Sequence, residues 1–400
     1  MTKASRAPAE RRRRRTTPFE SVALVLQGGG ALGAYQAGVY EALVEHGVEP
    51  TWISGISIGA INSAIIAGNP PELRIERLRQ FWELVGDHGD GGIGDWWTDM
   101  FTGDMARAWV NQALAAEYML KGVPGFFAPR LPPPYLAPKG SAAATSWYDT
   151  SALRMTIERL VDFDRINART TRFSVGAVNI GTGNFAYFDN ESDTILPEHI
   201  MASGALPPAF PPVAIDGEYY WDGGLVSNTP LDWVLSAPST LDTLIFQVDL
   251  WSARGAMPRD LGEVAERMKE IQYSSRTRAA TDQFRRTHRL RAALTDLLPR
   301  LPEELKALPQ AQILAEAADP ARYGIVQLIY QSPAYEDEAK DFQFSRRTME
   351  QHWHAGHSDA VKSLSHSEVL ELPSRAEGIQ VYDFTTPKAK RAAPSKKRVR

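Results

Sequence analysis

The sequence predicts an α/β fold built on a mainly parallel β-sheet, and two motifs near its start carry this prediction. Each motif follows a short apolar run that is typical of a buried strand, and each opens an apolar helix. The first is the glycine-rich turn Gln27-Gly28-Gly29-Gly30-Ala31-Leu32-Gly33, and the second is Gly55-Ile56-Ser57-Ile58-Gly59. Because the strands of one βαβ unit run in the same direction, both turns should meet at the carboxyl edge of the sheet.

Hydrophobic periodicity predicts the elements around and after these motifs. The predicted strands are residues 21–26, 51–54, 172–180, 184–189, 243–250, 325–330 and 379–384. The predicted helices are residues 31–46, 58–67, 72–85, 151–161, 197–204 and 346–364, with a long charged helical stretch at 261–298. Residues 86–147 show no regular period and are rich in Gly, Pro and aromatic side chains. We interpret them as an irregular insertion, which either caps the site or is a packing excursion.

Composition limits the class of protein. With 400 residues, 43% of them hydrophobic, the chain can bury one large core or two moderate ones. It contains no cysteine, so disulfides, thiolate metal sites and a cysteine nucleophile are excluded. No apolar run approaches the roughly 18 residues that span a bilayer, and residues 22–26 are too short for a secretory signal. We therefore expect a cytoplasmic protein without an integral membrane segment.

The charge is divided unevenly between the ends of the chain and its body. Residues 1–17 carry seven basic residues against one acidic residue, and residues 388–400 carry seven against none. This leaves 30 basic and 47 acidic residues in 18–387, a net charge near −17. We predict two basic disordered tails, which either contact an anionic membrane or another polyanion or remain solvated without a partner. No specific nucleic-acid site is predicted.

The second motif places a serine where hydrolases place a nucleophile. A GxSxG turn between a strand and a helix pushes the Ser57 hydroxyl out of the sheet, and the amides of the glycine turn can stabilise negative charge on an oxygen bonded to it. The first motif also fits the dinucleotide pattern G-x-G-x-x-G through Gly28, Gly30 and Gly33. That pattern needs an acidic residue after the second strand, where this chain has Ser54-Gly55-Ile56-Ser57. We therefore predict a serine hydrolase that needs no cofactor.

A serine nucleophile needs a base, and the histidines are weak candidates for it. The order Ser, Asp, His of α/β-hydrolases would use His352, His354 or His357, but those enzymes have several strands before the nucleophile and this chain has one. A metal site is the other interpretation of this histidine cluster. Since residues 352 and 354 of a helix point to different faces, we predict partly exposed helix histidines and no metal site.

Three motifs in order resemble those of the patatin-like phospholipases. They are Gly28-Gly29-Gly30, the nearby GxSxG around Ser57, and the distant Tyr220-Trp221-Asp222-Gly223-Gly224. Residues 202–210, Ala-Ser-Gly-Ala-Leu-Pro-Pro-Ala-Phe, also look like the family's run ahead of the Asp turn. The resemblance covers about residues 20–250 and implies a three-layer α/β/α sandwich with a mainly parallel central sheet.

This resemblance implies a lipid acyl hydrolase with a Ser–Asp dyad, in which Ser57 is the nucleophile and Asp222 its base. The implied oxyanion donors are Gly28, Gly29, Gly30 and Ile58, the elbow glycines are Gly55 and Gly59, and the glycines of the Asp turn are Gly223 and Gly224. An aspartate is a weak base in water, so the site should be partly dry. Leu32 stands where the family often has Arg or Lys, which favours neutral esters over phosphate-bearing ones.

The region after residue 250 leaves the substrate open. Residues 251–387, including Ser274-Ser275-Arg276-Thr277-Arg278, resemble a mainly helical C-terminal extension found on a bacterial subset of the family. Members of that subset are linked by resemblance to storage polyester turnover. Two alternatives to a phospholipase-like esterase therefore remain: an intracellular hydroxyalkanoate ester hydrolase at a storage-granule surface, and a non-catalytic adaptor whose basic tails bind a polyanion.

Overall fold

A nine-stranded β-sheet organises the residues that the computed structural model describes, which are 17–87, 104–237, 241–274, 277–333, 336, 339–375 and 377–386. The strands are β1 Ser21–Leu26, β2 Trp52–Gly55, β3 Ala128–Pro129, β4 Tyr148–Asp149, β5 Arg172–Asn179, β6 Phe185–Asp189, β7 Val213–Ile215, β8 Glu218–Asp222, β9 Thr243–Asp249, β10 Tyr323–Ile329 and β11 Ile379–Asp383. The helices are α1 Ala34–Glu45, α2 Ile58–Ala67, α3 Arg74–Gly86, α4 Asp104–Lys121, α5 Ser151–Leu160, α6 Phe163–Asn167, α7 Pro197–Ser203, α8 Leu231–Ser236, α9 Leu261–Tyr273, α10 Thr277–Leu297, α11 Glu303–Lys306, α12 Pro309–Ala317 and α13 Arg346–Leu364. Short 3₁₀ turns lie at Gly30–Gly33, Pro134–Leu136, Ala142–Ala144, Gly223–Leu225, Leu298–Arg300, Lys340–Phe342 and Ser367–Leu370.

The sheet is mainly parallel, as the sequence predicts. Strands β11, β10, β9, β1, β2 and β5 lie side by side in this order and run in one direction. The order continues with β8, which is antiparallel to β5, and then with β7, which is antiparallel to β8. β6 also pairs antiparallel with β5. β3 and β4 form a separate two-stranded sheet. The C-terminal region is mainly helical, as expected, but it also contributes β10 and β11 to one edge of the main sheet.

Helices cover both faces of the sheet because the central strands are apolar on both faces. In β1, Leu24 and Leu26 belong to the core shared with α1, α2, α3 and α13, whereas Ala23 and Val25 belong to a second core on the opposite face. This alternation follows from the two-residue period of a strand. The second core includes α8 and Phe284 of α10. The three-layer α/β/α sandwich is therefore confirmed.

The C-terminal helix α13 packs closely against α1, the helix that follows the glycine-rich turn. A Cβ at Gly38 of α1 would collide with the carbonyl oxygen of Trp353, and a Cβ at Gly356 would collide with that of Tyr35. The Tyr35 hydroxyl also donates to the Asp359 carboxylate at 2.8 Å. The two helices approach this closely only because both positions are glycine, and the C-terminal region thereby supports the start of the chain.

The prediction for the insertion differs from the structure. The insertion was expected to be irregular throughout, but residues 104–121 form the helix α4, since this stretch consists largely of helix-forming residues such as Ala, Leu, Met and Gln. The tryptophans at 96 and 97 lie outside the described residues. The charged stretch 261–298 is helical, as predicted, and consists of two helices: α9 ends at Tyr273, and α10 begins at Thr277.

Candidate functional site

Ser57 lies on the sharp turn between β2 and α2. Its backbone φ of 55° and ψ of −124° are a conformation that a non-glycine residue adopts only at an energetic cost. A Cβ at Gly59 would collide with the carbonyl oxygen of Leu26, and a Cβ at Gly55 would collide with that of Gly59, so both elbow glycines are needed for space. The Ser57 N–H donates to the backbone and hydroxyl oxygens of Ser203, at 3.1 Å each. The turn has the strained geometry that presents a serine at the top of a sheet.

Free backbone donors surround this turn. Within the described part of the chain, the N–H groups of Gly29, Gly30 and Ile58 have no hydrogen-bond partner. Ile58 is the first residue of α2, where N–H groups have no partner inside the helix. The N–H of Gly28 differs, because it donates to the carbonyl oxygen of Asn228 at 3.2 Å. A Cβ at Gly28 would lie 3.0 Å from the Cβ of the elbow serine, so this glycine provides space rather than a free donor.

Asp222 ends β8 and is buried, with 2% of its surface exposed. Burial raises the pKa of its carboxyl from 3.8 to about 7, although the Ser57 hydroxyl and the hydrogen bond from the Gly224 N–H oppose this shift. The Gly224 bond is 2.7 Å long. A Cβ at Gly223 would lie 2.7 Å from the carbonyl oxygen of Gly176, so the turn after Asp222 also requires glycine. The structure therefore brings Ser57 and Asp222 together across 165 positions of sequence.

A cleft of about 660 Å³ opens over these two residues, and most of its other lining is apolar. Besides Ser57 and Asp222, its lining residues are Gly28, Gly29, Gly30, Ile58, Ile61, Phe126, Phe127, Gly204, Leu206, Phe210, Gly224, Asn228, Trp251, Tyr273, Asp341, Phe342 and Phe344. The ring centroids of Phe127 and Phe210 lie 5.3 Å apart, and those of Phe126 and Phe344 lie 5.8 Å apart. The cleft thus combines a polar floor with aromatic walls drawn from the insertion and the C-terminal region.

A family model described as patatin-like phospholipase matches residues 24–235, more than half of the chain. The chain belongs to the patatin-like phospholipase family. A second family model, described as patatin phospholipase, matches residues 271–376 in the C-terminal region. The resemblance drawn from the three motifs is therefore confirmed.

Individual relatives of this patatin-like protein are more distant. Triacylglycerol lipase SDP1L of Arabidopsis thaliana is 43% identical over 57 residues, which are 14% of this chain and 7% of that lipase. Among solved structures, VipD from Legionella pneumophila is 16% identical with a TM-score of 0.38, and covers 87% of this chain and 67% of its own. The type III effector protein ExoU is 13% identical with a TM-score of 0.30, over 90% of this chain and 55% of its own.

Gln27, which the sequence analysis did not single out, fixes the patatin-like glycine turn to the C-terminal half. Its buried side-chain amide donates to the Thr229 hydroxyl at 2.8 Å and to the Tyr273 carbonyl oxygen at 3.1 Å. Its amide oxygen accepts the N–H groups of Leu250 and Trp251, at 2.6 and 3.0 Å. No sequence motif marks this role, since the partners lie more than 200 residues away.

An ion-pair cluster borders the same cleft. Lys269 of α9 pairs with Asp341, a cleft-lining residue, at 2.5 Å, and the buried Lys340 pairs with Glu266 and Glu270 at 2.8 and 3.1 Å. Burial raises the pKa of Asp341 even though Lys269 favours its charged form. The backbone of Asp341 also packs on Gly30, where φ is 55° and a Cβ would collide with the Asp341 carbonyl oxygen. α9 and the 339–344 segment therefore form one wall of the site.

The three histidines of α13 are not among the residues that line the cleft, and one prediction about them is wrong. His352 is buried rather than partly exposed: its Nε2 lies 3.0 Å from a Glu336 oxygen that also accepts the Tyr330 hydroxyl at 2.7 Å. Its place on the inner face of α13 explains the burial. His357 is partly exposed and pairs with Glu45 at 2.7 Å, and His354 is exposed. Among the described residues, no group of three or more His, Asp or Glu side chains could hold a metal ion.

Proposed function

We propose that this protein is a serine ester hydrolase that acts on lipid acyl esters, with Ser57 as the nucleophile and Asp222 as its base. One observation carries the proposal: a serine on a strained elbow and a buried carboxylate whose pKa it influences line the same aromatic cleft. Family membership agrees with it, because the family model is described as a phospholipase and covers both residues.

The chemistry follows from these positions. Asp222 takes the proton of the Ser57 hydroxyl while the Ser57 oxygen attacks the acyl carbonyl carbon. The free N–H groups of Gly29, Gly30 and Ile58 bind the resulting oxyanion. The carbonyl re-forms, the alcohol leaves with the proton from Asp222, and an acyl-serine remains. Asp222 then takes a proton from water, the resulting hydroxide attacks the acyl-serine carbonyl, and the acid leaves as the Ser57 oxygen takes the proton back from Asp222.

Burial supports Asp222 in the role of base. A carboxylate with the usual pKa near 4 is too weak to take a proton from a serine efficiently near neutral pH, whereas one whose pKa is about 7 holds the proton far better. Burial alone raises the pKa in this way, and no histidine takes part in the shift.

The lining of the cleft supports a neutral acyl chain as the bound group. Leu32, at the position where the family often has a cation, is fully buried in the core and does not reach the cleft. Lys269 and Lys340, which belong to the segments that form the cleft wall, are paired with carboxylates. Apolar walls and neutralised cations favour recognition of the acyl group over recognition of a phosphate.

A fluorophosphonate probe tests the proposal, because it labels activated serines covalently. We expect stoichiometric labelling of Ser57, no hydrolysis of a p-nitrophenyl ester by Ser57→Ala, and a loss of at least about 100-fold for Asp222→Asn. Ser63→Ala is the matched control, since Ser63 is a buried serine of the same helix α2 that lies outside the cleft. A folded protein that resists the probe would favour the adaptor, and hydrolysis of polyester oligomers but not of lipids would reassign the substrate.

A further inference from the structure

Helix α9 turns its charged face inward. Glu266 and Glu270 bind Lys340, and Lys269 binds Asp341, so ion pairs attach the middle of the helix to the body. These partners recur every three to four residues and therefore share one face of the helix. No residue of α9 is buried. A surface helix of a globular protein normally packs through its apolar face instead.

The opposite face of α9 is apolar and open to solvent. Its side chains are 86% exposed at Leu261, 48% at Val264, 63% at Met268 and 56% at Ile271. Their spacing of three and four residues places them in one stripe, which we call the α9 apolar face. Contiguous exposed apolar surface of this kind marks an interaction site.

The charge of the surrounding segment indicates what binds there. Residues 251–274, which contain α9, carry four basic and four acidic residues, whereas the rest of 18–387 carries 26 basic and 43 acidic residues. A helix with an exposed apolar face and no excess of negative charge around it can lie in the interface of an anionic bilayer. The remaining acidic surface would be repelled by such a bilayer, so this segment is the part of the body that can approach it.

We propose that the α9 apolar face docks on the surface of an anionic phospholipid bilayer and holds the cleft against it. The choice of a lipid surface rests on the proposed function. The inner face of the same helix forms the ion pairs at the cleft wall, and its last residue, Tyr273, lines the cleft. Docking through α9 therefore places the bilayer next to the opening through which a lipid reaches Ser57.

The test measures binding without hydrolysis, in a Ser57→Ala background, by co-sedimentation with vesicles of phosphatidylcholine and phosphatidylglycerol. The variant Val264→Gln/Met268→Gln/Ile271→Gln keeps helix propensity and charge but removes the apolar stripe. We expect its vesicle partition coefficient to fall at least about tenfold. Met155→Gln is the matched control, because Met155 is 64% exposed on α5, against 63% for Met268. This control should bind vesicles as strongly as the parent protein.

Circular dichroism and probe labelling of Ser57 in the otherwise unchanged chain show whether the triple variant is folded, and the Met268→Gln single variant provides a milder change. Vesicle binding equal to that of the parent would overturn the proposal. A second outcome would also overturn it: the parent is dimeric in solution, the triple variant is monomeric, and both bind vesicles equally. The α9 apolar face would then be covered by a second copy of the chain. Loss of vesicle binding with normal labelling supports docking, whereas absence of labelling in the parent contradicts only the proposed function.

Discussion

Burial gives Asp222 a proton affinity that an exposed aspartate lacks, and this has a consequence for the pH dependence of activity. Only the carboxylate can accept the serine proton, and burial raises its pKa to about 7. We therefore expect kcat/KM for a soluble ester to rise with pH and to reach half of its maximum near pH 7. A pH–rate profile measures this midpoint. A profile that is flat from about pH 5 to pH 9 would mean that Asp222 is not the base.

The same burial predicts a conflict between stability and activity. A carboxyl whose pKa is higher in the folded state favours folding most when it is protonated, so this contribution is full below pH 3.8 and declines as pH rises to about 7. Asp222→Asn, which stays neutral, should therefore raise the free energy of unfolding by on the order of 4 kcal/mol at pH 8, and by little at pH 4. Urea unfolding of both proteins at the two pH values measures the difference. Equal effects at both would contradict the prediction.

At the scale of residues, sequence motifs marked the two side chains that we propose react, but not the side chains that hold them in place. Ser57 and Asp222 lie in turns with required glycines, which leave short recognisable motifs. Gln27 and Asn228 act through long-range hydrogen bonds to backbone atoms, such as that from the Asn228 amide to the Tyr273 carbonyl oxygen at 2.9 Å. Any residue type can supply a backbone atom, so no pattern in the partner segment reveals the contact.

At the scale of elements, the aromatic walls should set the preference for acyl length. Phe210 and Phe342 line the cleft from two different segments, and neither is fully buried. We expect Phe210→Ala and Phe342→Ala to lower kcat/KM for palmitoyl esters at least about tenfold, but that for butyryl esters only slightly, because a short chain does not reach both walls. Tyr135→Ala is the control, since Tyr135 is 75% exposed and outside the cleft. Equal losses on both esters in folded variants would count against a substrate-binding role.

Elements whose apolar residues follow one clear helix or strand pattern were predictable from sequence, and elements without such a pattern were not. The bounds of α2 and α13 match the predicted residues 58–67 and 346–364. α4 was missed because its flanks are rich in Gly, Pro and aromatic residues, which obscured a helix-forming centre. The orientation of α9 was also not foreseen, since its pattern shows two faces but not which one packs. The insertion supplies Phe126 and Phe127 to the cleft, and a capping role for it stays a prediction.

For the whole molecule, the C-terminal region should be inseparable from folding. A chain that ends at residue 250 would lose β10 and β11 and the helix that covers α1, and would expose the buried strand β9. We expect it to lack a cooperative thermal transition and to be digested rapidly by protease. A chain limited to residues 18–387 is the control and should unfold cooperatively. A folded, probe-reactive chain of residues 1–250 would contradict this view.

The basic tails lie almost entirely outside the described residues, and a role for them in membrane contact is a proposal about the whole molecule. Each Lys or Arg close to an anionic bilayer contributes on the order of 1 kcal/mol of attraction. Removal of residues 1–17 and 388–400 should weaken binding to anionic vesicles at low salt and leave turnover of a soluble ester nearly unchanged. Added salt should mimic the truncation. Identical co-sedimentation of both proteins at low salt would mean that the tails do not bind the membrane.

In the described part of the chain, no helix is both long and apolar enough to cross a membrane.

The hydrogen bonds of Gln27 bear on how such a protein can be rearranged by recombination. One side chain uses all of its donors and its acceptor oxygen to join the first βα turn to the chain at Thr229, at Leu250 and Trp251, and at Tyr273. A hybrid that takes residues up to about 240 from this protein and the remainder from a distant relative would have to reproduce those backbone positions. Most such crossovers should give a misplaced glycine turn, so we expect the glycine turn and the segment 229–273 to be exchangeable only together.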